Sequence, residues 1–133
     1  MREILFRGKA INRDKGYHRT EYQNGEWVYG LVTRLYDERF ENLPAEMTDV
    51  NGISGIEIDH KTIGQYTGLA DRNGQKIFED DIVTLPRYGG GKTKSVVYFS
   101  GGKFAVNGSN YAFKDICPKN MNVIGNIYDN PEL

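Results

Sequence analysis

One cysteine, four prolines and no apolar run longer than the four residues Val96–Phe99 set the first limits on this 133-residue chain. A lone Cys117 cannot close an intramolecular disulfide, and neither His18 nor His60 stands near it at zinc-site spacing, so the chain reads as built for a reducing compartment. The cytoplasm is the expected location. The longest apolar run is far below a membrane span. The N-terminal Ile4-Leu5-Phe6 meets Arg7 too soon to serve as a signal-peptide core, so neither secretion by that route nor a place in lipid is expected. Helical periodicity is scarce as well, because glycines or β-branched clusters interrupt most windows with three- and four-residue apolar spacing. Net charge is −1, which gives no general pull toward nucleic acid.

What is present is turn and strand chemistry. Sixteen glycines stand against four prolines, and aromatics make up 12% of the chain. Asn24-Gly25, Asn51-Gly52, Asn73-Gly74, Asn107-Gly108 and Gly101-Gly102 each offer the left-handed backbone that two-residue hairpins need, which predicts a meander or a small barrel. Over Glu26–Tyr36, strict alternation puts Trp27, Tyr29, Leu31, Thr33 and Leu35 on one face of a long strand and Val28, Gly30 and Val32 on the other. Further strands are expected near Ile4–Phe6, Ile53–Ile58, Thr62–Tyr66, Ile77–Leu85, Ser95–Phe99, Lys103–Val106, Tyr111–Phe113 and Asn122–Tyr128. Short helical turns are expected only within Asp37–Met47 and Phe113–Cys117. The fold class is therefore mainly β, at most β-rich α+β, with an N-terminal β lobe over 1–60 and a C-terminal barrel over 61–133.

Several motifs combine to resemble a known family. Phe6-Arg-Gly-Lys9, Gly25-Glu-Trp-Val-Tyr-Gly30, Thr62-Ile-Gly-Gln-Tyr-Thr-Gly-Leu-Ala-Asp-Arg-Asn-Gly74, Ile77-Phe-Glu-Asp-Asp-Ile-Val83 and Val123-Ile-Gly-Asn-Ile-Tyr-Asp-Asn-Pro-Glu-Leu133 together look like the YopX family of bacteriophage and prophage proteins. The resemblance implies a phage or prophage origin and an SH3-like form for the C-terminal barrel. It carries no assigned activity and no catalytic residues. Members usually have glycine where this chain has Asp80, and aspartate enters left-handed backbone less easily, so some strain is expected there.

Gly89-Gly-Gly-Lys-Thr93 ends like a phosphate-binding loop, but Pro86 holds the place of that motif's first glycine, and Lys94 leads into a strand instead of a helix. A hairpin tip is expected. Glu79 and Asp81 share a strand face, which keeps open a divalent cation and a metal-dependent nuclease, although a carboxylate capping the turn into Ile82-Val83 explains the same residues. His60 and Cys117 read as a loop histidine and an incidental thiol. No residue is singled out as catalytic, metal-ligating or cofactor-binding, and no cofactor is expected.

Charge is segregated along the chain: residues 37–81 carry four Lys/Arg and eleven Asp/Glu, whereas residues 87–119 carry six and one. In the basic segment Arg87, Lys92, Lys94 and Lys103 alternate with Tyr88 and Tyr98, as they would on a half-buried sheet or on a groove gripping single-stranded nucleic acid. These six are the candidate contact residues. The expectation is a non-enzymatic interaction module that docks a protein partner or its own copy, with single-stranded nucleic-acid binding as the alternative.

Overall fold

The computed structural model describes residues 3–12, 21–36, 39, 43–87, 89–108, 111–115 and 118–133. Among these, eleven strands and one short 3-10 turn account for the regular structure, so the mainly β class stands. No helix among the described residues is long and apolar enough to cross a membrane. The chain divides into two compact units, Glu3–Gln65 and Tyr66–Leu133, and the division falls inside a strand.

In the first unit β1 (Phe6–Ala10), β2 (Trp27–Arg34), β3 (Ala45–Asp49) and the opening part of β4 (Ile56–Ala70) are joined in a closed circuit. β1 pairs antiparallel with both β2 and β4, β2 pairs with β3, and β3 pairs with β4. In this circuit each of the four strands has a partner on both sides over part of its length. The alternation predicted for β2 holds, and the structure decides its sense: Val28 and Gly30 face inward, whereas Leu31 and Leu35 are 51% and 66% exposed. Val28 joins Ala10, Ala45, Met47, Ile56 and Ile58 in the core, with Phe6, Tyr22, Val32, Ile53 and Ile63 packed against it. On the outward side Trp27 lies opposite Lys9, and the Lys9 ammonium and Arg7 guanidinium both sit over its ring, at 5.3 and 4.6 Å.

The second unit holds the rest of β4, β5 (Lys76–Phe78), β6 (Asp81–Pro86), β7 (Lys92–Val96), β8 (Tyr98–Ser100), β9 (Lys103–Gly108), β10 (Tyr111–Asp115) and β11 (Asn122–Asn126). β4 pairs with β5, and two three-stranded antiparallel sheets follow, ordered β11-β6-β7 and β10-β9-β8. Ile77, Val83, Leu85, Val97, Val106 and Met121 are buried together as the core of this unit.

Two local expectations are corrected. Residues 45–47, the end of the expected helical turn, belong instead to strand β3, in which Ala45, Met47 and Asp49 alternate inward with Glu46 and Thr48. A two-residue period cannot be buried by a helix, and Pro44 leaves the following segment extended. The other expected helical turn is strand β10 as far as Asp115, and the 3-10 turn comes after it, over Pro118–Asn120. Proline suits the first position of such a turn, because its missing N–H has no partner there in any case. The expected strands Ile53–Ile58, from Ile56 onward, and Thr62–Tyr66 are parts of one continuous strand, β4.

The turns also differ in kind from the two-residue hairpins expected. Among the described residues, Gly101-Gly102 takes that form, with both residues at positive φ and Ser100 opposite Lys103. The segments Asp49-Val-Asn-Gly-Ile53 and Asp71-Arg-Asn-Gly-Gln75 instead form two copies of a three-residue loop. In each, the glycine alone is left-handed and donates its N–H to the aspartate carbonyl oxygen at 3.0 Å. The Asp49 and Asp71 carboxylates lock these loops, accepting from the amides two and four residues on at 2.8 to 2.9 Å.

Candidate interaction surface

The β6–β7 hairpin carries most of the residues singled out for contact. Its ladder pairs Ile82 with Val96, Val83 with Ser95, Thr84 with Lys94, Leu85 with Thr93 and Pro86 with Lys92. Both ends are pinned by main-chain bonds: Arg87 N–H donates to Gly91 O at 3.0 Å, and Val97 N–H donates to Asp81 O at 2.9 Å. Hydrogen-bonded and non-bonded pairs alternate in an antiparallel ladder, so Ser95 and Thr93 bond to β6 while Lys92, Lys94 and Val96 turn their N–H and C=O away from it. β7 is the outermost strand of its sheet; among the described residues no strand pairs with that outer side, although β9, which pairs with β8 on the same side from Tyr98 onward, lies close to it.

The same alternation sorts the side chains. Val83, Leu85 and Ser95 are buried on the inner face, whereas Lys92, Lys94 and Val96 are exposed on the outer face, across from Pro86, Thr84 and Ile82. Neither Lys92 nor Lys94 has an ion-pair partner among the described residues. The outer face ends in an apolar groove of about 290 Å³, lined by Ile82, Val96, Ile127, Pro131 and Leu133, with Lys94, Ser95 and Asn130 completing it.

The groove's far wall is held by Asp80. This is the one described non-glycine residue at positive φ, 68°, and Asp80 and Asp81 both bond across to Val97, which makes a bulge at the start of β6. The Asp80 carboxylate accepts from the Tyr128 hydroxyl at 2.8 Å, and its carbonyl oxygen accepts from Ile127 N–H at 3.0 Å. Beyond it the Asn130 side chain accepts from Asn126 N–H at 3.2 Å, and Leu133 N–H donates to the Asn130 carbonyl oxygen at 3.1 Å. Glycine would relax the backbone at this position, and the Asp80 side chain instead latches the closing turn.

A double-mutant cycle tests that latch. Asp80→Gly relieves left-handed strain of order 1 kcal/mol and gives up a hydrogen bond of about the same worth, so it is expected to leave stability nearly unchanged. Asp80→Ala loses the bond and keeps the strain, and should cost about 1 kcal/mol. Tyr128→Phe should cost about 1 kcal/mol in the native background and almost nothing alongside Asp80→Gly, as read from urea midpoints.

The contact residues predicted from the sequence fall into two groups. Arg87, Lys92 and Lys94 lie together on the β6–β7 hairpin, all exposed. Tyr98, half-buried, and Lys103, exposed, belong to the other sheet, on β8 and β9. Tyr88 lies outside the described residues, as do His18 and Cys117. In that second sheet Phe99 pairs with Phe104 edge to face at 5.1 Å, and Phe99 is 55% exposed. Gly89, Gly90 and Gly91 are all left-handed within the hairpin loop. Asp81 is 2% exposed, and its carboxylate accepts from Phe78 N–H at 2.7 Å, which is a turn-capping role. No group of three or more His, Cys, Asp or Glu able to hold a metal occurs among the described residues. His60 is half-buried within β4 and not in a loop.

Sequence reasoning missed the groove, because Pro131 and Leu133 meet Ile82 and Val96 only through the fold. It also missed the outward phase of Lys92 and Lys94, which the pinned ladder sets.

Comparison with known proteins adds a family and a fold. The family described as YopX protein matches residues 19–133, most of the chain. No curated protein matches. A crystal structure of protein EF1440 from Enterococcus faecalis is similar, with 24% identity and a TM-score of 0.55, over 99% of this chain and 98% of that one. At that identity the likeness concerns the fold.

Proposed function

We infer that this chain, which belongs to the YopX family, is a non-enzymatic interaction module that docks a protein partner along the outer edge of β7. The observation that carries this reading is the pair of outward main-chain groups at Lys92 and Lys94, near an apolar groove. Such an edge can take up an extended segment as an added strand, with main-chain bonds supplying affinity and side-chain sites supplying selectivity. The conspicuous carboxylates have other work: Asp49, Asp71 and Asp81 are each bound to main-chain amides that shape turns. A single cysteine supports a reducing setting, so the reading places the module in a bacterial host's cytoplasm, with a phage or prophage origin.

Lys94→Pro is the discriminating variant. The Lys94 N–H faces away from β6, so proline costs the native ladder no bond while it blocks an incoming strand. Immobilised wild-type protein is expected to retain the same bacterial polypeptide repeatedly, and Lys94→Pro, shown folded by circular dichroism, is expected to lose it. Retention unaffected by Lys94→Pro, or none at all, would overturn the reading.

Single-stranded nucleic acid is the second reading. It draws on the exposed Arg87, Lys92, Lys94 and Lys103 together with the half-open Phe99–Phe104 pair. It requires a labelled oligonucleotide to shift at low salt and to be released as salt rises.

A further inference from the structure

We propose that the groove on the outer face of the β6–β7 hairpin binds a small aliphatic monocarboxylate, with its chain against Ile82, Val96, Ile127, Pro131 and Leu133 and its carboxylate held by the Lys94 ammonium and the Asn130 side-chain amide. The site lies on the face of the sheet and not on a strand edge, so it does not depend on the docking reading above. Its walls are aliphatic, and Val96, Ile127 and Leu133 are 37%, 36% and 45% exposed, so apolar surface there stands open to water and gains from being covered. The groove's volume is about 290 Å³. At about 30 Å³ for each water-sized unit, that is room for about ten non-hydrogen atoms.

The polar groups of the lining choose the head group. Asn130 Oδ1 accepts from Asn126 N–H, which turns the side-chain NH2 the other way, and that NH2 donates to nothing among the described residues. Lys94, two residues along β7 from the Val96–Ile82 pair, is exposed and has no ion pair among the described residues. Both groups are donors, and no residue of the lining is acidic, so a carboxylate is matched there and an ammonium is not. The lining has no aromatic ring on which a base could stack, which sets nucleic acid aside at this site. Gly125 of β11 underlies the same wall. A Cβ there would run into the Asn130 side chain and lie 3.1 Å from Leu133 Cδ1, so the amide and the leucine are seated against bare backbone and held in place before any ligand arrives.

The test titrates octanoate into the full isotope-labelled chain and follows its amide resonances, whose dispersion also reports that each variant is folded. Saturable shifts are expected at Lys94, Val96, Ile127 and the Asn130 side-chain NH2, with a Kd on the order of 1 mM. Acetate has the charge without the chain, and octylammonium has the chain with the opposite charge. Each should bind more weakly by on the order of tenfold or more. Lys94→Met keeps the aliphatic stem and the main-chain N–H while removing the charge, and should weaken octanoate about three- to fivefold. Asn130→Asp keeps the acceptor for Asn126 N–H but puts negative charge where the NH2 stood, and should weaken octanoate by on the order of tenfold. Leu133→Ala should weaken it several-fold through the lost wall. Shifts that do not saturate or that spread away from the groove overturn the proposal, as does equal binding of octanoate and octylammonium, or octanoate binding untouched by both Lys94→Met and Asn130→Asp. A null octanoate titration alongside a host polypeptide still lost in Lys94→Pro overturns the groove site and leaves the docking reading standing.

Discussion

Gly30→Ala is expected to cost more than 3 kcal/mol and to leave little folded protein in the first unit, as read by circular dichroism and by dispersion of amide resonances. Gly30 is not at positive φ, so the demand is for space. A Cβ built there falls on the Thr48 carbonyl oxygen and lies 2.8 Å from Asp49 Cα, both main-chain atoms. Gly30 pairs with Phe6 on one side and Asp49 on the other, so backbone gives way on either side only by parting strands. Gly8→Ala is the control. Its Cβ meets the side chains of Ile58 at 2.5 Å, Ile63 at 3.3 Å and Met47 at 3.4 Å, which can repack, and about 1–3 kcal/mol is expected. Were Gly30→Ala no worse than Gly8→Ala, close approach of β2 and β3 would not be what this unit depends on.

The contrast between these glycines shows what one-dimensional reading could reach. Alternation along Trp27–Leu35 identified the strand, and glycine in left-handed backbone at 52 and 74 followed from the Asn-Gly pairs. The unusual backbone at Asp80 was legible from the family's glycine, and Lys92 and Lys94 were legible as exposed. Which face of β2 goes inward was not, because Val28 and Gly30 look a weaker core than Trp27 and Leu31 until the close packing of β3 is known. β3 itself was hidden by the expected helical turn, although the inward alternation of Ala45, Met47 and Asp49 after Pro44 was there to read. The two Asp-x-Asn-Gly loops carried a further signal that went unused: an aspartate two residues before Asn-Gly supplies the acceptor for a three-residue loop. The docking surface was the least legible part. The outward phase of β7 depends on the bulge at Asp80, and the groove depends on contacts between residues more than thirty positions apart.

Asp71→Asn is expected to destabilise the protein by about 2–3 kcal/mol, and Asp49→Asn by only about 1 kcal/mol, although the two loops are built alike. In both, Oδ1 accepts from two loop amides, and asparagine keeps that acceptor. The difference lies at Oδ2. In Asp71 it accepts from Val123 N–H at 2.9 Å and ties the loop to β11, while in Asp49 it accepts from the Tyr22 hydroxyl at 2.7 Å. An asparagine NH2 facing a main-chain N–H puts donor against donor with no remedy, whereas a hydroxyl can rotate and accept. The pH dependence separates them further. Burial alone would raise both carboxyls, but the hydrogen bonds they accept outweigh it and hold both below the ordinary value of 3.8. Their contribution is therefore present above that value and disappears as pH falls through the lowered folded values, so the penalty of Asp71→Asn should shrink as pH falls below 3.8. Tyr22 runs the opposite way: burial first, then the bond to Asp49, push its hydroxyl from 10.0 up to about 12. That contribution is complete below pH 10.0 and is lost as pH rises to about 12. Asp49→Asn should weaken this alkaline loss and Asp71→Asn should leave it intact, as measured by urea midpoints across pH. Equal penalties for the two asparagine variants at neutral pH would mean that the Asp71–Val123 bond does not hold β11 to its loop.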